Sequence, residues 1–218
     1  MGTVPYRVQC RYYFVTIDMT DKHSLDDELA EIRSSGRAPR LLLHCCCAPC
    51  ASHVLELLAP LFRIAALFYN PNISPREEYD KRAGEFKKLL AQGGYPNSVE
   101  MVLCDYSCDE FEAVAMPYRD EPEGGLRCRA CFGLRLREAA RRAKEGGFEY
   151  FATTLSVGPR KSAAALNEIG GGLAAEFGVR YLAADFKKRD GYRRSVELSR
   201  QFGLYRQSYC GCTPKARS

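Results

Sequence analysis

Leu41-Leu42-Leu43-His44-Cys45-Cys46-Cys47-Ala48-Pro49-Cys50 is the stretch that decides the fold of this 218-residue chain. Its three leucines predict a short buried strand, because the apolar run is too brief for a helix and ends in a break of pattern. Pro49 suits the first turn of a following helix, where its missing N–H has no partner to lose. Four thiols are therefore gathered where a strand ends and a helix begins. In an open α/β sheet, ligands bind at that edge.

Strand-like and helix-like segments alternate along the rest of the chain. Apolar runs predict further strands over residues 61–69, 99–103, 148–155 and 179–184. Helical periodicity is found over residues 51–58, 75–92, 109–116, 128–144, 162–177 and 192–202. Parallel strands joined by helices form right-handed βαβ units. We therefore expect a single Rossmann-like (HUP-like) α/β domain, with a mostly parallel sheet of about five strands and helices on both faces.

Composition and the first residues set the class of protein. An apolar fraction of 46% is ordinary for a soluble globular protein, and the net charge of +5 permits a polyanionic partner without requiring one. No apolar run approaches the roughly 20 residues that span a bilayer, and the first residues do not resemble a signal peptide. We expect a cytoplasmic protein without a membrane partner. Residues 1–40 are interpreted as a variable extension with a short helix near 25–32, opened by Ser24, and residues 41–218 as the catalytic domain with a Cys-Gly-Cys tail.

Eleven cysteines are a high count for this length. In a reducing compartment they are better interpreted as metal ligands or redox groups than as disulfide staples. Cys128 and Cys131 lie three residues apart at a predicted helix start, so their side chains face the same way. Cys46 and Cys47 can bind the same centre only if the chain turns between them. Two such pairs form a four-thiolate site that suits zinc or an iron–sulfur cluster.

Spacing alone favours a structural zinc site, but two observations favour electron transfer. One cysteine pair lies at the ligand-binding edge of the sheet, and Cys50, Cys210 and Cys212 are left over once four ligands are assigned. A disulfide across Gly211 would be strained, which raises its reduction potential and makes it labile. The alternative is two idle thiols in a tail. Cys10, Cys104 and Cys108 are treated as incidental.

The order of the motifs resembles the cobalamin-independent epoxyqueuosine reductases of the QueH type. The matching motifs are LLLHxCCAPC at 41–50, FYNPNI at 68–73, PREEY at 75–79, EPEGG at 121–125, RCRACF at 127–132, TTLS at 153–156, DFKKRDGY at 185–192, LYRQ at 204–207 and YCGC at 209–212. They cover roughly residues 40–212. The resemblance implies the last step of queuosine synthesis, in which epoxyqueuosine in the tRNA anticodon loop is deoxygenated with two electrons to the alkene and water.

The resemblance also implies cofactors and the residues that hold them. It places a 4Fe–4S cluster on Cys46, Cys47, Cys128 and Cys131, and a redox-active pair on Cys210 and Cys212. It implies an adjacent mononuclear iron, for which Cys50 and an aspartate are candidate ligands, and no cobalamin. Cys45 stands where the family usually has an aliphatic residue, so which two of the three consecutive thiols bind is open.

Reduction of an epoxide requires two electrons and an acid at the departing oxygen. We expect the cluster and a Lewis-acidic metal to perform the reduction, and the Cys210/Cys212 dithiol to reload them from an unidentified electron donor. His44 either donates a proton or fixes the loop through a hydrogen bond.

A tRNA substrate predicts cations and aromatic rings near the site. The candidate substrate-binding residues are Arg127, Arg129, Lys187, Lys188, Arg193, Tyr192 and Tyr209. Cations contact phosphates, and tyrosines stack on splayed bases. Solvated charge runs and core tyrosines are the competing interpretations, and the turn at residues 157–161 is either a phosphate contact or an ordinary loop.

Two other functions fit part of the pattern. A different Fe–S tRNA-modifying enzyme, such as an ATP-dependent thiolase, needs a glycine-rich phosphate loop after the first strand. That place holds His44 and cysteines, which disfavours ATP. A non-catalytic, zinc-stabilised RNA-binding module is the second alternative, and anaerobic purification separates it, because an iron–sulfur protein is brown and absorbs at about 400 nm.

Overall fold

Five parallel strands form one sheet in the order β3-β2-β1-β4-β5 in the computed structural model, which describes residues 24–212. The strands are β1 (Arg40–His44), β2 (Arg63–Phe68), β3 (Val99–Leu103), β4 (Tyr150–Thr153) and β5 (Arg180–Tyr181). The chain runs outward from β1 to one edge and then returns to add β4 on the other side. This change of direction leaves a crevice at the carboxyl end of β1, which is the usual ligand position in such sheets.

Helices cover both faces of the sheet, as predicted. They are α1 (Leu25–Ser34), α2 (Ala48–Leu58), α3 (Arg76–Gln92), α4 (Asp109–Ala115), α5 (Leu126–Glu145), α6 (Ala163–Phe177) and α7 (Gly191–Gln201). Side chains alternate across β1, so Leu41 and Leu43 join the core under α2 and α3, whereas Leu42 joins the core under α5 and α6. The predicted Rossmann-like α/β fold is confirmed, and every strand pairing is parallel.

The predicted junction between β1 and α2 is present. The Cys45 N–H still donates to the Leu67 carbonyl at 2.8 Å, as a strand residue would. The chain then turns, and Cys47 takes an extended backbone conformation as the N-cap of α2, with Pro49 in the first turn. The helix therefore begins at Ala48, three residues before the predicted start, because the N-cap is a cysteine of the motif itself.

The last two strands are shorter than predicted. β4 ends at Thr153, because the Thr153 hydroxyl accepts a hydrogen bond from the Leu155 N–H at 3.2 Å and opens a short 3₁₀ turn. Among the described residues, β5 pairs only with β4. The Asn167 side chain then accepts from the Ala184 N–H at 3.2 Å, where a longer ladder would have continued. Side-chain hydrogen bonds, rather than the apolar pattern, therefore determine where β4 and β5 end.

The helix predicted before the first strand is present as α1. Ser24 and Asp27 form a capping box at its start, and Leu29 and Ile32 are buried. The Tyr150 hydroxyl donates to Glu28 at 2.6 Å, which attaches α1 to the start of β4. Residues 1–23, including Cys10, lie outside the described residues, so the division at residue 40 stays a prediction. No helix in the described range is long and apolar enough to cross a membrane.

Candidate active site

Three thiols converge where β1 meets α2. The Sγ atoms of Cys46, Cys47 and Cys50 all lie within 4.8 Å of one another, and those of Cys46 and Cys47 are 3.8 Å apart. The turn after β1 brings Cys46 and Cys47 to one side, as the sequence requires for joint binding. Cys47 and Cys50 are three residues apart at the helix start, so their side chains share a face. This triad is a sulfur site that can hold a metal ion.

The triad favours one negative charge. Hydrogen bonds from Cys47 and Cys50 lower the pKa of Cys46 well below its usual range, and the same contacts raise the pKa of Cys50. The Thr154 hydroxyl assists, because it donates to the Cys46 sulfur at 3.4 Å, and it also accepts from the Cys46 N–H at 3.2 Å. One thiolate stabilised by two neighbouring thiols is a ready ligand for a cation.

Cys128 and Cys131 lie buried on the first turns of α5. Cys128 accepts a hydrogen bond from the Gly124 N–H at 3.2 Å, and it belongs to the apolar cluster against which Cys46 also packs. A small cavity is lined by both of these cysteines together with Cys210 and Cys212. The helix cysteines and the tail cysteines, distant in sequence, therefore share one cavity.

A second cavity, of about 260 Å³, connects the tail to the triad, because Cys46 and Cys210 both line it. Its walls are strongly cationic. The charged lining residues are Arg82, Arg135, Arg160, Lys161 and Arg206 against the single carboxylate of Glu123. We call this space the large cavity. Its charge suits a ligand that carries phosphates or electron-rich oxygen atoms.

The neighbours of Cys210 favour its thiolate form. A hydrogen bond from Cys212 lowers the pKa of Cys210 to about 5, and the positive charge of Lys161 contributes in the same direction against the effect of burial. The Lys161 Nζ lies 3.8 Å from the Cys210 sulfur and 3.0 Å from Glu123. All ten cysteines of the described range are free thiols, so the predicted redox pair is present as a dithiol and no disulfide is formed.

Arg135 joins the separate parts of the site, and sequence reasoning does not single it out. Its guanidinium is 4% exposed and donates to the His44 Nε2 at 3.2 Å, to the Asn70 side chain and to the Cys131 sulfur at 3.9 Å. No carboxylate among residues 24–212 forms an ion pair with it. The available signal is its position in the buried stripe of α5, four residues after Cys131.

The same guanidinium acts on sulfur atoms from three segments. Hydrogen bonds from neighbouring cysteines dominate the lowered pKa values of Cys46 and Cys210, and burial dominates the raised pKa of Cys131. The charge of Arg135 favours the thiolate form at each of them. The site therefore has a fixed positive charge near sulfurs of all three segments, and no carboxylate of the described residues pairs with it.

His44 is completely buried and lies outside both cavities. Its Nδ1 is 2.9 Å from the Thr153 hydroxyl and its Nε2 is 3.1 Å from the Tyr69 carbonyl. Burial and the charge of Arg135 lower the pKa of His44 to about 3, so the ring is neutral at pH 7. A neutral ring engaged at both nitrogens favours loop fixing over proton donation.

The residues predicted to bind substrate are divided between different positions. Tyr192 and Tyr209 line the large cavity, and Arg127 lines the small one. The remaining four line neither: Arg129 pairs with Glu168, Arg193 pairs with Asp190, Lys187 donates to the Lys161 carbonyl and Lys188 is exposed. The walls also contain Asn72, Arg206 and Gln207, which stand in recognised motifs but were given no role from the sequence.

Comparison with known proteins agrees over most of the chain. A family model described as "Epoxyqueuosine reductase QueH" matches residues 41–217. The epoxyqueuosine reductase QueH of Streptococcus pyogenes serotype M1 is 40% identical over 181 residues, which is 82% of this chain and 71% of that protein. The corresponding protein of Staphylococcus epidermidis is 39% identical, covering 84% of this chain and 79% of its own length. That of Thermotoga maritima is 35% identical, covering 79% of this chain and 88% of its own length.

Proposed function

This chain belongs to the epoxyqueuosine reductase QueH family, an oxidoreductase family of tRNA modification, and from that membership we propose that it reduces epoxyqueuosine to queuosine in the anticodon loop of tRNA in the cytoplasm. The observation that carries the proposal is the family match over residues 41–217. The cationic cavity lined by both Cys46 of the triad and Cys210 of the tail supports it.

The residues fit a metal centre of sulfur ligands. We propose that Cys46, Cys47, Cys128 and Cys131 hold a 4Fe–4S cluster, and that Cys50 takes part in holding an adjacent mononuclear iron. A cluster of thiolates carries net negative charge, which is what the unpaired guanidinium of Arg135 requires. When bound, such a centre supplies single electrons and a Lewis acid.

The chain's own contribution is the dithiol. Conversion of the epoxide to an alkene and water consumes two electrons and two protons. Oxidation of the Cys210 thiolate and the Cys212 thiol to a disulfide releases two electrons and one proton, and solvent, which received the Cys210 proton on ionisation, returns the second proton, so the two half-reactions balance. An external donor, not yet identified, then reduces the disulfide. Lys161, at 3.8 Å, holds Cys210 as the thiolate that such thiol chemistry uses.

Substrate binding is assigned to the large cavity. Its lining tyrosines, Tyr192 and Tyr209, offer faces on which a base can stack, and its cations contact phosphates. Single-stranded RNA is commonly read in this way, with a base splayed out of its stack. Binding of tRNA is therefore expected to weaken steeply as salt is raised.

The activity is tested by anaerobic incubation of iron-reconstituted protein with epoxyqueuosine-containing tRNA and a reductant, followed by nucleoside analysis. Appearance of queuosine supports the proposal. Its absence, from protein that retains iron, would refute it. A protein that purifies anaerobically with zinc and no iron would support the zinc-stabilised module instead.

The role of the dithiol needs a separate measurement. In the double variant Cys210→Ser/Cys212→Ser, we expect repeated turnover to be lost while the protein keeps its bound iron. Cys108→Ser is the matched control, because the Cys108 sulfur contacts Tyr106 at 3.1 Å and lines neither cavity. Undiminished multiple turnover by the double variant would exclude the relay.

A further inference from the structure

Buried polar atoms without partners are concentrated on the large cavity. Six buried side-chain nitrogen or oxygen atoms in the described range lack a hydrogen-bond partner. Three of them belong to lining residues of this one cavity: Asn72 Oδ1, Arg82 Nη2 and Gln207 Oε1. Asn72 and Arg82 are only 4% and 5% exposed. Because an unpaired buried polar group is costly, such groups indicate a partner that binds there.

The three atoms come from separate parts of the fold. Asn72 lies in the turn after β2, Arg82 in α3 and Gln207 in the tail. Arg82 is held by a buried ion pair in which its Nε lies 2.7 Å from Glu78. Its Nη2 has no hydrogen-bond partner. Gln207 follows Arg206, whose guanidinium donates to the Ser195 carbonyl at 3.2 Å. Three independent elements therefore bring unpaired groups to one space.

The types of group define the ligand. The two amide side chains present carbonyl oxygens, which need a donor, whereas the guanidinium needs an acceptor. A hydroxyl group both donates and accepts, so neighbouring hydroxyls satisfy all three atoms. A phosphodiester has no proton to give to the carbonyls, and an apolar group satisfies none of them. A cavity of about 260 Å³ has room for a ring that carries such hydroxyls.

We propose that the ligand of Asn72, Arg82 and Gln207 is a hydroxyl-bearing ring on the modified base of the substrate, and that these residues thereby distinguish modified from unmodified tRNA. This inference rests on the proposed function, because it assigns the ring to the substrate of that reaction. Cys46 and Cys210 line the same cavity, so a ring held by these three residues lies in the space that both sulfurs reach. The specificity of the enzyme then resides in a hydroxyl-binding set rather than in contacts with the unmodified part of the base.

Asn72→Leu and Gln207→Leu test the inference, because leucine removes the unpaired oxygen and approximates the size of either side chain. Arg82 is not replaced, because its loss would leave the buried Glu78 carboxylate without its ion-pair partner. Binding is measured anaerobically, without reductant, for tRNA that carries epoxyqueuosine and for the same tRNA with guanosine at that position. We expect the wild type to prefer the modified tRNA, and each variant to lose about tenfold of that preference with unchanged affinity for the unmodified tRNA. Gln201→Leu, on the exposed end of α7, is the matched control.

The thermal midpoint of the ligand-free protein provides the second readout. If the Asn72 and Gln207 side chains serve to bind a ligand, their replacement leaves the thermal midpoint unchanged or raises it, because a buried amide oxygen without a partner has been removed. Equal weakening for both tRNAs would show that the set contacts the common backbone and would overturn the proposal. A lowered midpoint with unchanged preference would also overturn it, in favour of a structural role. A wild type that deoxygenates its substrate without any preference refutes this inference alone, whereas a wild type that does not deoxygenate refutes the proposed function.

Discussion

Replacement of Arg135 with methionine is expected to affect the iron-loaded protein far more than the metal-free protein. The guanidinium is 4% exposed, and its described partners are the neutral His44 ring, the Asn70 amide and the Cys131 thiol. Burial of a cation that pairs with no carboxylate is unfavourable, so its removal offsets part of the hydrogen bonding that is lost. In the loaded protein the ligating thiolates add negative charge beside it.

The magnitude follows from the contacts. Loss of the hydrogen bonds to the buried His44 and Asn70 side chains costs about 1–3 kcal/mol each, and removal of the buried cation offsets part of this, so we expect the metal-free variant to lose about 2 kcal/mol of unfolding free energy. Nη1 lies 3.9 Å from the Cys131 sulfur, which becomes a thiolate when it binds a metal. At an effective dielectric constant of about 20, that attraction is worth about 4 kcal/mol, which corresponds to roughly a thousandfold weaker retention of iron.

Urea unfolding of the metal-free protein and iron release to a chelator from the loaded protein measure the two effects. Arg137→Met is the control, because Arg137 lies on the same helix in an exposed ion pair with Glu176, and such pairs contribute about 1 kcal/mol or less. A variant of Arg135 that loses several kcal/mol when metal-free and retains iron as well as the wild type would refute the reasoning.

Three further outcomes are expected. Burial raises the pKa of Glu138, but hydrogen bonds from two arginines outweigh it and leave that pKa lowered. Glu138→Gln should therefore cost about 1 kcal/mol of unfolding free energy at pH 7, and urea titrations should show the difference begin to shrink as pH falls through the unfolded pKa of about 4.3 and vanish once it has passed the lowered folded pKa. Gly211→Ala would place a Cβ 2.8 Å from the Ile73 Cγ1, so the tail must shift, and steady-state assays should show at least a tenfold loss of repeated turnover; full activity would contradict this. Ser24→Ala removes the cap of α1 and should cost about 1 kcal/mol in urea unfolding, whereas an unchanged midpoint would show that the capping box adds nothing.

The fold could be predicted where the signals are local. The leucine run and Pro49 mark the junction of β1 and α2, because burial of a strand and the first turn of a helix each have a short-range signature. The end of β5 could not be predicted, since it depends on the Asn167 side chain capturing the Ala184 N–H from a different helix. Apolar residues beyond that point are buried without belonging to a strand.

The site also has residues that the sequence reveals and residues that it does not. The cysteines are visible from their spacing, and so is the turn that brings Cys46 and Cys47 together. Arg135 looks like any other arginine in an arginine-rich helix, and only packing against β1 reveals that its charge is enclosed. The position of the tail depends on a hydrogen bond from the Ser74 N–H to the Gly211 carbonyl at 3.0 Å, a contact between segments that share no periodic pattern.

One wall of the large cavity is formed by residues 206–211, which follow α7, rather than by the sheet. A fluorescent label or an affinity tag inserted into this segment would therefore lie against the groups that face the substrate, whereas the strands of the sheet would keep their pairings.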